Sequence, residues 1–87
     1  MNVADRMRER LATLSPIVME IIDDSARHAG HAGARDGGGH FQLHIVAPCF
    51  EGAGKMARHR MVYDALGALM RREIHALSIV ARSPSET

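Results

Sequence analysis

Histidine is the residue type with the clearest chemical potential in this chain, because six of the 87 residues are histidine and one is cysteine. Imidazole nitrogen and thiolate sulfur are common protein ligands of zinc, copper and iron. The histidines occupy a glycine-rich segment, a predicted strand and the second half of the chain, at positions His28, His31, His40, His44, His59 and His75. Cys49 is the single cysteine, so neither an intramolecular disulfide nor an all-cysteine metal site can form within one chain. We expect Cys49 to be a small, partly buried residue.

Two further groupings of polar residues bear on catalysis and metal binding. His40 and His44 lie on the same side of an alternating segment, where two imidazoles could hold a divalent metal ion. Solvated strand histidines are the favoured interpretation of this pair. Asp23 and Asp24 are adjacent, so in a strand they face opposite sides, which argues against a catalytic carboxylate pair. The sequence also offers no nucleophile, general base and orienting group that could act together in catalysis. It therefore predicts a protein that is not an enzyme.

The second half of the chain is locally basic around Lys55, Arg58, His59 and Arg60. A basic helix start of this kind could contact nucleic-acid phosphates through its side chains and free backbone N–H groups. The alternatives are a solvated charged helix and, for His59, a structural hydrogen bond to the preceding turn. The net charge is only +1, so any contact with DNA is expected to be weak and sensitive to salt.

A length of 87 residues predicts one small domain over residues 1–87, and this domain must position these side chains. Apolar spacing predicts a first helix from Val3 to about Leu14, ended by Pro16. The remaining predicted elements are strands over 17–23, 40–48 and 75–81 and a helical stretch over 56–72, with a possible break near His59. The clean alternation of the second strand predicts a sheet covered by helices on one face.

The connections between these elements also carry predictions. The second and third strands are joined through a helix of crossover length, so they can be parallel neighbours. The segment over about 24–39 holds five of the eight glycines and is expected to be a flexible loop, of a length typical of functional or disordered segments. The polar tail over 83–87 is expected to be frayed.

Several blocks of sequence together resemble the BolA family. They keep the family's order and spacing from about residue 17 to residue 84. The blocks are Asp24-Ser25 with His28, Gly39-His40-Phe41, Phe50-Glu51-Gly52, Arg58-His59-Arg60-Met61-Val62-Tyr63, and Ile74-His75-Ala76-Leu77-Ser78-Ile79. The resemblance implies an α+β, class II KH-like domain of order α-β-β-α-α-β. Its three-stranded mixed sheet carries the helices on one face.

The resemblance also implies a function. BolA-like proteins bind monothiol glutaredoxins and share a 2Fe–2S cluster with them, in cluster trafficking or in iron and stress signalling. His75 matches one cluster ligand of the family and His28 the second, with His31 as a substitute. Imidazole can replace thiolate on one iron of such a cluster. Because two imidazoles cannot hold a cluster alone, thiolates must come from a partner, alone or together with a small thiol such as glutathione. No cluster is expected in the isolated chain.

Two other functions compete with this interpretation. Bacterial BolA-like proteins are also described as DNA-binding transcriptional regulators, which implies a role for the basic turn and helix around Arg58–Arg60. A third interpretation is an adaptor that acts only through protein contacts. The first residues lack the apolar region of a signal peptide, and no apolar stretch approaches the ~20 residues of a membrane span. We therefore expect a cytoplasmic protein without membrane association, either a monomer or a weak dimer when alone.

Overall fold

The computed structural model describes residues 1–25 and 39–87. Its elements in chain order are α1 (Val3–Leu11), β1 (Val18–Asp23), β2 (Gly39–Val46), α2 (Lys55–Leu66), α3 (Leu69–Arg72) and β3 (Ile74–Arg82). Short 3-10 turns cover Ala12–Leu14, Pro48–Phe50 and Pro84–Glu86. The predicted α+β class and the order α-β-β-α-α-β are confirmed.

The sheet has β2 at its centre, with β1 antiparallel on one side and β3 parallel on the other. The alternation along β2 separates its two faces: Phe41, Leu43 and Ile45 are buried, whereas Gln42 is exposed. The chain returns from β2 to β3 through α2 and α3, as a parallel connection requires. The predicted mixed sheet with helices on one face is confirmed.

The first helix begins at a reciprocal cap. The Asn2 side chain accepts a hydrogen bond from the backbone N–H of Asp5 (2.9 Å), and the Asp5 carboxylate accepts one from the Asn2 N–H (3.3 Å). Such a capping box satisfies backbone donors that a helix start leaves free. Met7 and Leu11 from this helix are fully buried. The α-helix ends at Leu11 and continues only as a 3-10 turn, three residues short of the predicted end.

The crossover helix is divided at Gly67 and not near His59. Gly67 has φ +56° and donates its backbone N–H to the carbonyl of Tyr63 (2.9 Å). Glycine reaches this left-handed region at little cost, so it ends α2 there. Val62 and Leu66, one turn apart on α2, are both fully buried.

The hydrophobic core lies between the helices and one face of the sheet. Its buried members are Met7, Leu11, Phe41, Leu43, Ile45, Ala47, Phe50, Val62, Leu66, Leu69 and Ile74. The other sheet face has no layer packed on it from the described ranges, and Ile22 and Val80 are exposed there. Within residues 1–25 and 39–87, no helix is long and apolar enough to cross a membrane.

The C-terminal segment is an ordered turn, and the prediction of a frayed tail over 83–87 is wrong. Ser83 is buried, and both its N–H (2.7 Å) and its hydroxyl group (3.0 Å) donate hydrogen bonds to the carboxylate of Glu86. Arg58 from α2 donates to the same carboxylate oxygen (2.5 Å), and the Ser85 hydroxyl group donates to Glu51 (2.8 Å). Side-chain contacts of high sequence separation therefore hold a segment whose composition alone indicates a loose end.

The Glu86 carboxyl group is expected to make the stability of the fold depend on pH. Hydrogen bonds from Arg58 first, and then from the Ser83 N–H and hydroxyl group, lower the pKa of Glu86 from 4.5 to about 2. A folded-state pKa below the unfolded value stabilises the fold above pH 4.5, and this contribution is lost as the pH falls through about 2. We expect Glu86→Gln to have a lower free energy of unfolding than the wild type at neutral pH. The two values are expected to converge on acidification. Urea unfolding across this pH range measures the difference.

The exposed glutamate Glu9 on α1 offers a matched control. Glu9→Gln is expected to leave the unfolding free energy close to that of the wild type at each pH. If the difference in unfolding free energy between the wild type and Glu86→Gln stayed constant from neutral pH to pH 2, this would contradict the role given to the Glu86 carboxylate.

Candidate functional site

His75 is the extra residue of a bulge at the start of β3. Gly39 pairs with Ile74, but His40 pairs with Ala76, so His75 has no partner residue on β2. A bulge of this kind redirects a side chain and is frequent beside functional sites. Ile74 is buried, whereas His75 and Ala76 are both exposed. The irregular register therefore presents the His75 imidazole to solvent at the end of the sheet.

The His40 ring lies beside His75. The two ring centres are 5.2 Å apart, and the ring planes are tilted by 44°. A metal–nitrogen bond of about 2.0–2.1 Å places each ring centre about 3 Å from a shared metal. The observed separation is therefore compatible with two imidazoles on one metal ion. The sequence analysis favoured a solvated strand histidine at position 40, and neither alternation nor motif spacing revealed that the bulge brings His75 next to it.

The end of β1 is fastened to the same place. The backbone N–H of His40 donates to the hydroxyl group of Ser25 (3.1 Å), and the N–H of Ser25 donates to the carboxylate of Asp23 (2.8 Å). Hydrogen bonds from the hydroxyl group of Ser25 and then from its backbone N–H lower the pKa of the Asp23 carboxyl group, against a smaller effect of burial. These two hydrogen bonds hold Ser25 against the first residues of β2.

A second pair of contacts reinforces that junction. Asp24 donates its N–H to the carbonyl of His40 (2.7 Å), and its carboxylate accepts a hydrogen bond from the side chain of Gln42. Ser25 and Gly39 therefore both lie at the end of the sheet that carries His75. The predicted ligand His28, its substitute His31 and most of the predicted loop lie outside the described residues.

The described residues at this sheet end do not form a complete metal site. Among residues 1–25 and 39–87, no group of three or more histidine, cysteine, aspartate or glutamate side chains could hold a metal ion. Cys49 cannot complete the pair, because it follows the opposite end of β2, whose last residue, Val46, lies about 23 Å from Gly39 at a rise of ~3.3 Å per residue. The thiol of Cys49 is exposed and 3.7 Å from the carbonyl of Leu14. The expectation of a partly buried cysteine is therefore wrong, because the 3-10 turn after β2 points it outwards.

The rings of His40 and His44 have different neighbours, and a metal ion held by these two histidines together is the interpretation that the sequence already disfavours. Nδ1 of His44 lies 3.0 Å from the carboxylate of Glu20 on β1, whereas the ring of His40 lies against that of His75. The two strand histidines share a face of β2, but each is engaged by a different neighbouring strand.

The basic residues at the start of α2 fall into two groups. Arg58 is turned inwards: its side chain is 12% exposed, and it donates to the carbonyls of Ala53 (2.7 Å) and Ala81 (3.0 Å). Lys55 and Arg60 are exposed. The ring of His59 makes an edge contact with Tyr63, with centres 6.5 Å apart. Of the basic residues predicted to bind nucleic acid, Arg58 therefore has a structural position, and Lys55 and Arg60 remain on the surface.

Comparisons with known proteins agree with this architecture. Residues 11–86 match the family model described as BolA, BolA-like protein. Protein BOLA1, chloroplastic, of Arabidopsis thaliana is 46% identical over 90 aligned positions, which cover 99% of this chain and 56% of the relative. SufE-like protein 1, chloroplastic/mitochondrial, of the same plant is 45% identical over 87 positions, covering 93% of this chain and 24% of the relative. This chain thus spans about half or less of these two relatives.

Relatives and solved structures of similar size extend the agreement. The DNA-binding transcriptional regulator BolA of Escherichia coli is 34% identical over 80 positions, covering 91% of this chain and 73% of the relative. The structure of BolA1 from Arabidopsis thaliana superposes with a TM-score of 0.84 at 41% identity, covering 100% of this chain and 98% of that one. The match by sequence and the match by structure agree, and this chain belongs to the BolA-like protein family.

Proposed function

We propose that this protein is an iron–sulfur accessory protein and not an enzyme, and that it binds a monothiol glutaredoxin and shares a 2Fe–2S cluster with it. His75 is the first ligand from this chain, and a loop histidine, His28 before His31, is the second. The cluster is cargo held between two proteins. The complex acts in cluster trafficking or in iron and stress signalling.

The observation that carries this proposal is the bulge that exposes His75 at a sheet end where residues 1–25 and 39–87 offer too few ligands for a complete site. A half-site of imidazoles requires a second molecule to supply the thiolates. Imidazole ligation on one iron raises the reduction potential of a 2Fe–2S cluster relative to all-thiolate ligation. The role of this chain is therefore to present neutral imidazole nitrogens from a fixed backbone position. The occurrence of a BolA domain in a SufE-like relative fits an iron–sulfur context.

Chain length supports His28 as the second ligand. Ser25 is fastened to His40, and three extended residues span at most ~10 Å. A chain of this length allows a ligand at position 28 to serve the sheet end that carries His75. His40 is the competing second imidazole, because its ring already lies 5.2 Å from that of His75.

Replacing His75 with alanine is expected to remove the cluster from the complex. The test is co-expression of this chain with the monothiol glutaredoxin of its host, followed by purification, iron and sulfide analysis and absorption spectroscopy. The wild-type complex is expected to show sulfide-to-iron charge-transfer bands. His75→Ala is expected to change these bands and to lower the bound iron several-fold, because a lost ligand typically costs at least about tenfold in metal affinity.

Matched histidine variants locate the second ligand. His28→Ala is expected to act like His75→Ala, whereas His44→Ala, which changes a histidine paired with Glu20, is expected to keep the wild-type spectrum. A stronger effect of His40→Ala than of His28→Ala would transfer the second position to His40. Unchanged iron content and an unchanged spectrum in His75→Ala would overturn the ligand assignment.

DNA binding is the second candidate function. It is supported by the name of the Escherichia coli relative and by the exposed Lys55 and Arg60 at the start of α2. With a net charge of +1, binding is expected to be weak and to fall with rising salt.

A further inference from the structure

The outer edge of β3 carries backbone groups without a partner strand. The N–H of Ala47, the residue after β2, donates to the carbonyl of Arg82 (3.0 Å), so the backbone of Arg82 faces the β2 side. Backbone direction alternates along a strand, and the preceding residue, Ala81, therefore faces outwards. The guanidinium of Arg58 reaches the Ala81 carbonyl from that outer side (3.0 Å). By the same alternation, Leu77 and Ile79 direct their N–H and C=O groups away from the sheet.

Within the described residues, no strand pairs with this outer edge. An unpaired edge is a template for strand addition, in which an extended segment of another chain forms backbone hydrogen bonds along it. The part of the edge nearest to α2 opens onto a groove of about 510 Å³. Residues 79–82 of β3 form one wall, and residues 53–55 with Arg58 and His59 form the other.

The charge of the groove selects the chemistry of its occupant. Three cationic side chains line it, from Lys55, Arg58 and Arg82, against one carboxylate, that of Glu86. Glu86 is already engaged by Arg58 and Ser83. The lining therefore has an excess of positive charge, which complements an acidic segment.

An apolar surface continues from the groove along α2. Met56 is 81% exposed and Tyr63 is 41% exposed, although both are large apolar side chains. They line a depression of about 360 Å³ together with Arg60, and Lys55 and His59 line both this depression and the groove. Contiguous exposed apolar surface rimmed by charge is typical of protein contact sites.

We propose that the outer edge of β3 and the adjoining groove bind an extended acidic segment of a partner protein by strand addition, with an apolar side chain of that segment on Met56 and Tyr63. A peptide satisfies both the N–H and the C=O groups of this edge. A nucleic-acid backbone offers mainly acceptors, so it would leave the carbonyls of Leu77 and Ile79 unpaired. The site goes beyond the proposed cluster function, because Arg82 lies about 23 Å along β3 from His75 at ~3.3 Å per residue.

The test uses the full chain labelled with nitrogen-15 and a capped heptapeptide of alternating glutamate and valine as the probe. The peptide is expected to shift the amide signals of Leu77, Ile79 and Ala81 and to slow their hydrogen exchange. The same peptide with alternate backbone amides N-methylated is expected to bind at least about tenfold more weakly, because it cannot complete the strand ladder.

Variants of the chain separate the backbone from the charge contribution. Ala81→Pro removes an outward N–H, and proline is tolerated at edge positions whose N–H faces away from the sheet. Ala81→Pro is expected to weaken peptide binding several-fold. The double variant Lys55→Glu with Arg82→Glu is expected to weaken it to a similar extent. If Ala81→Pro does not fold, the double variant tests the proposal. His75→Ala is expected to bind the peptide like the wild type. Failure of the cluster proposal is therefore distinguishable from failure of this one.

Three results would overturn the proposal. The first is equal binding of the N-methylated and unmodified peptides. The second is peptide binding without slowed exchange at Leu77, Ile79 and Ala81. The third is a double-stranded DNA oligonucleotide that shifts these amides while the peptide has no effect, which would assign the groove to nucleic acid.

Discussion

Replacement of Arg58 with methionine is expected to lower the free energy of unfolding by about 2–4 kcal/mol. The guanidinium donates to the carbonyls of Ala53 and Ala81 and pairs with the carboxylate of Glu86. It thereby ties the turn before α2, the end of β3 and the C-terminal turn to one side chain. Methionine keeps an unbranched apolar stem, so the expected loss reflects the hydrogen bonds more than the packing. In a small domain whose total stability is commonly about 5–15 kcal/mol, this is a large fraction.

Arg60 provides the matched control for this prediction. It lies two residues further along α2 and is exposed, so Arg60→Met is expected to change the unfolding free energy by no more than about 0.5 kcal/mol. Urea unfolding followed by far-ultraviolet circular dichroism measures both variants. Equal stability of Arg58→Met and Arg60→Met would show that the contacts of Arg58 contribute nothing to the fold.

The same two variants separate stability from nucleic-acid binding. If DNA binding uses the start of α2, the exposed Arg60 contacts phosphate, and Arg60→Met weakens retention of a DNA duplex while the fold stays intact. Arg58 is held by carbonyls and a carboxylate, so its loss acts on DNA only through the fold. The predicted nucleic-acid surface is therefore best tested at Lys55 and Arg60.

The parts of the fold that follow from local patterns were predictable from the sequence. The alternation of Phe41, Leu43 and Ile45 marked β2 and its buried face, because side-chain direction in a strand depends only on position along it. The spacing of Met7 and Leu11 marked the buried face of α1 in the same way. These patterns, together with the length of the crossover, are sufficient to predict a sheet with helices on one face.

Features that depend on two distant segments were not predictable in this way. The exposure of the His75 ring beside that of His40 arises from a mismatch of register between β2 and β3, and no single strand contains that information. Arg58 and Arg60 are alike in type and neighbourhood, and the contacts of Arg58 with the distant residues Ala81 and Glu86 distinguish them. The resemblance to the BolA family indicated His75 as functional without indicating the geometry that exposes it.

The bulge itself is expected to depend on glycine at position 39. A Cβ atom there would lie 2.4 Å from Cε2 and 2.9 Å from Cζ of Phe41, and 3.2 Å from the hydroxyl oxygen of Ser25. Phe41 is 4% exposed, so its ring can move only by displacing core neighbours. Overpacking of this kind costs about 1–3 kcal/mol. Gly39→Ala is therefore expected to destabilise the fold and to shift the start of β2 relative to β3.

The consequence for the site is a change in the pairing of His40 with His75. These rings touch because Gly39 pairs with Ile74 immediately before the extra residue of the bulge. Displacement of Gly39 is expected to separate them, which removes the nuclear Overhauser contact between the two imidazoles. Urea unfolding of the same variant measures the loss of stability.

A second glycine distinguishes this local effect from a general cost of replacing glycine. A Cβ atom at Gly54 would meet nothing within 4 Å, and its φ of −75° suits any residue. Gly54→Ala is accordingly expected to keep both the stability and the imidazole contact. If Gly39→Ala behaved in the same way, Phe41 and Ser25 would have room for a methyl group, and the close approach at Gly39 could not be what places the two histidines together. If only Gly39→Ala separates the rings, then the packing of a core phenylalanine against a glycine backbone positions the imidazoles of the half-site. The geometry of the proposed half-site would then depend on core packing as well as on the histidines themselves.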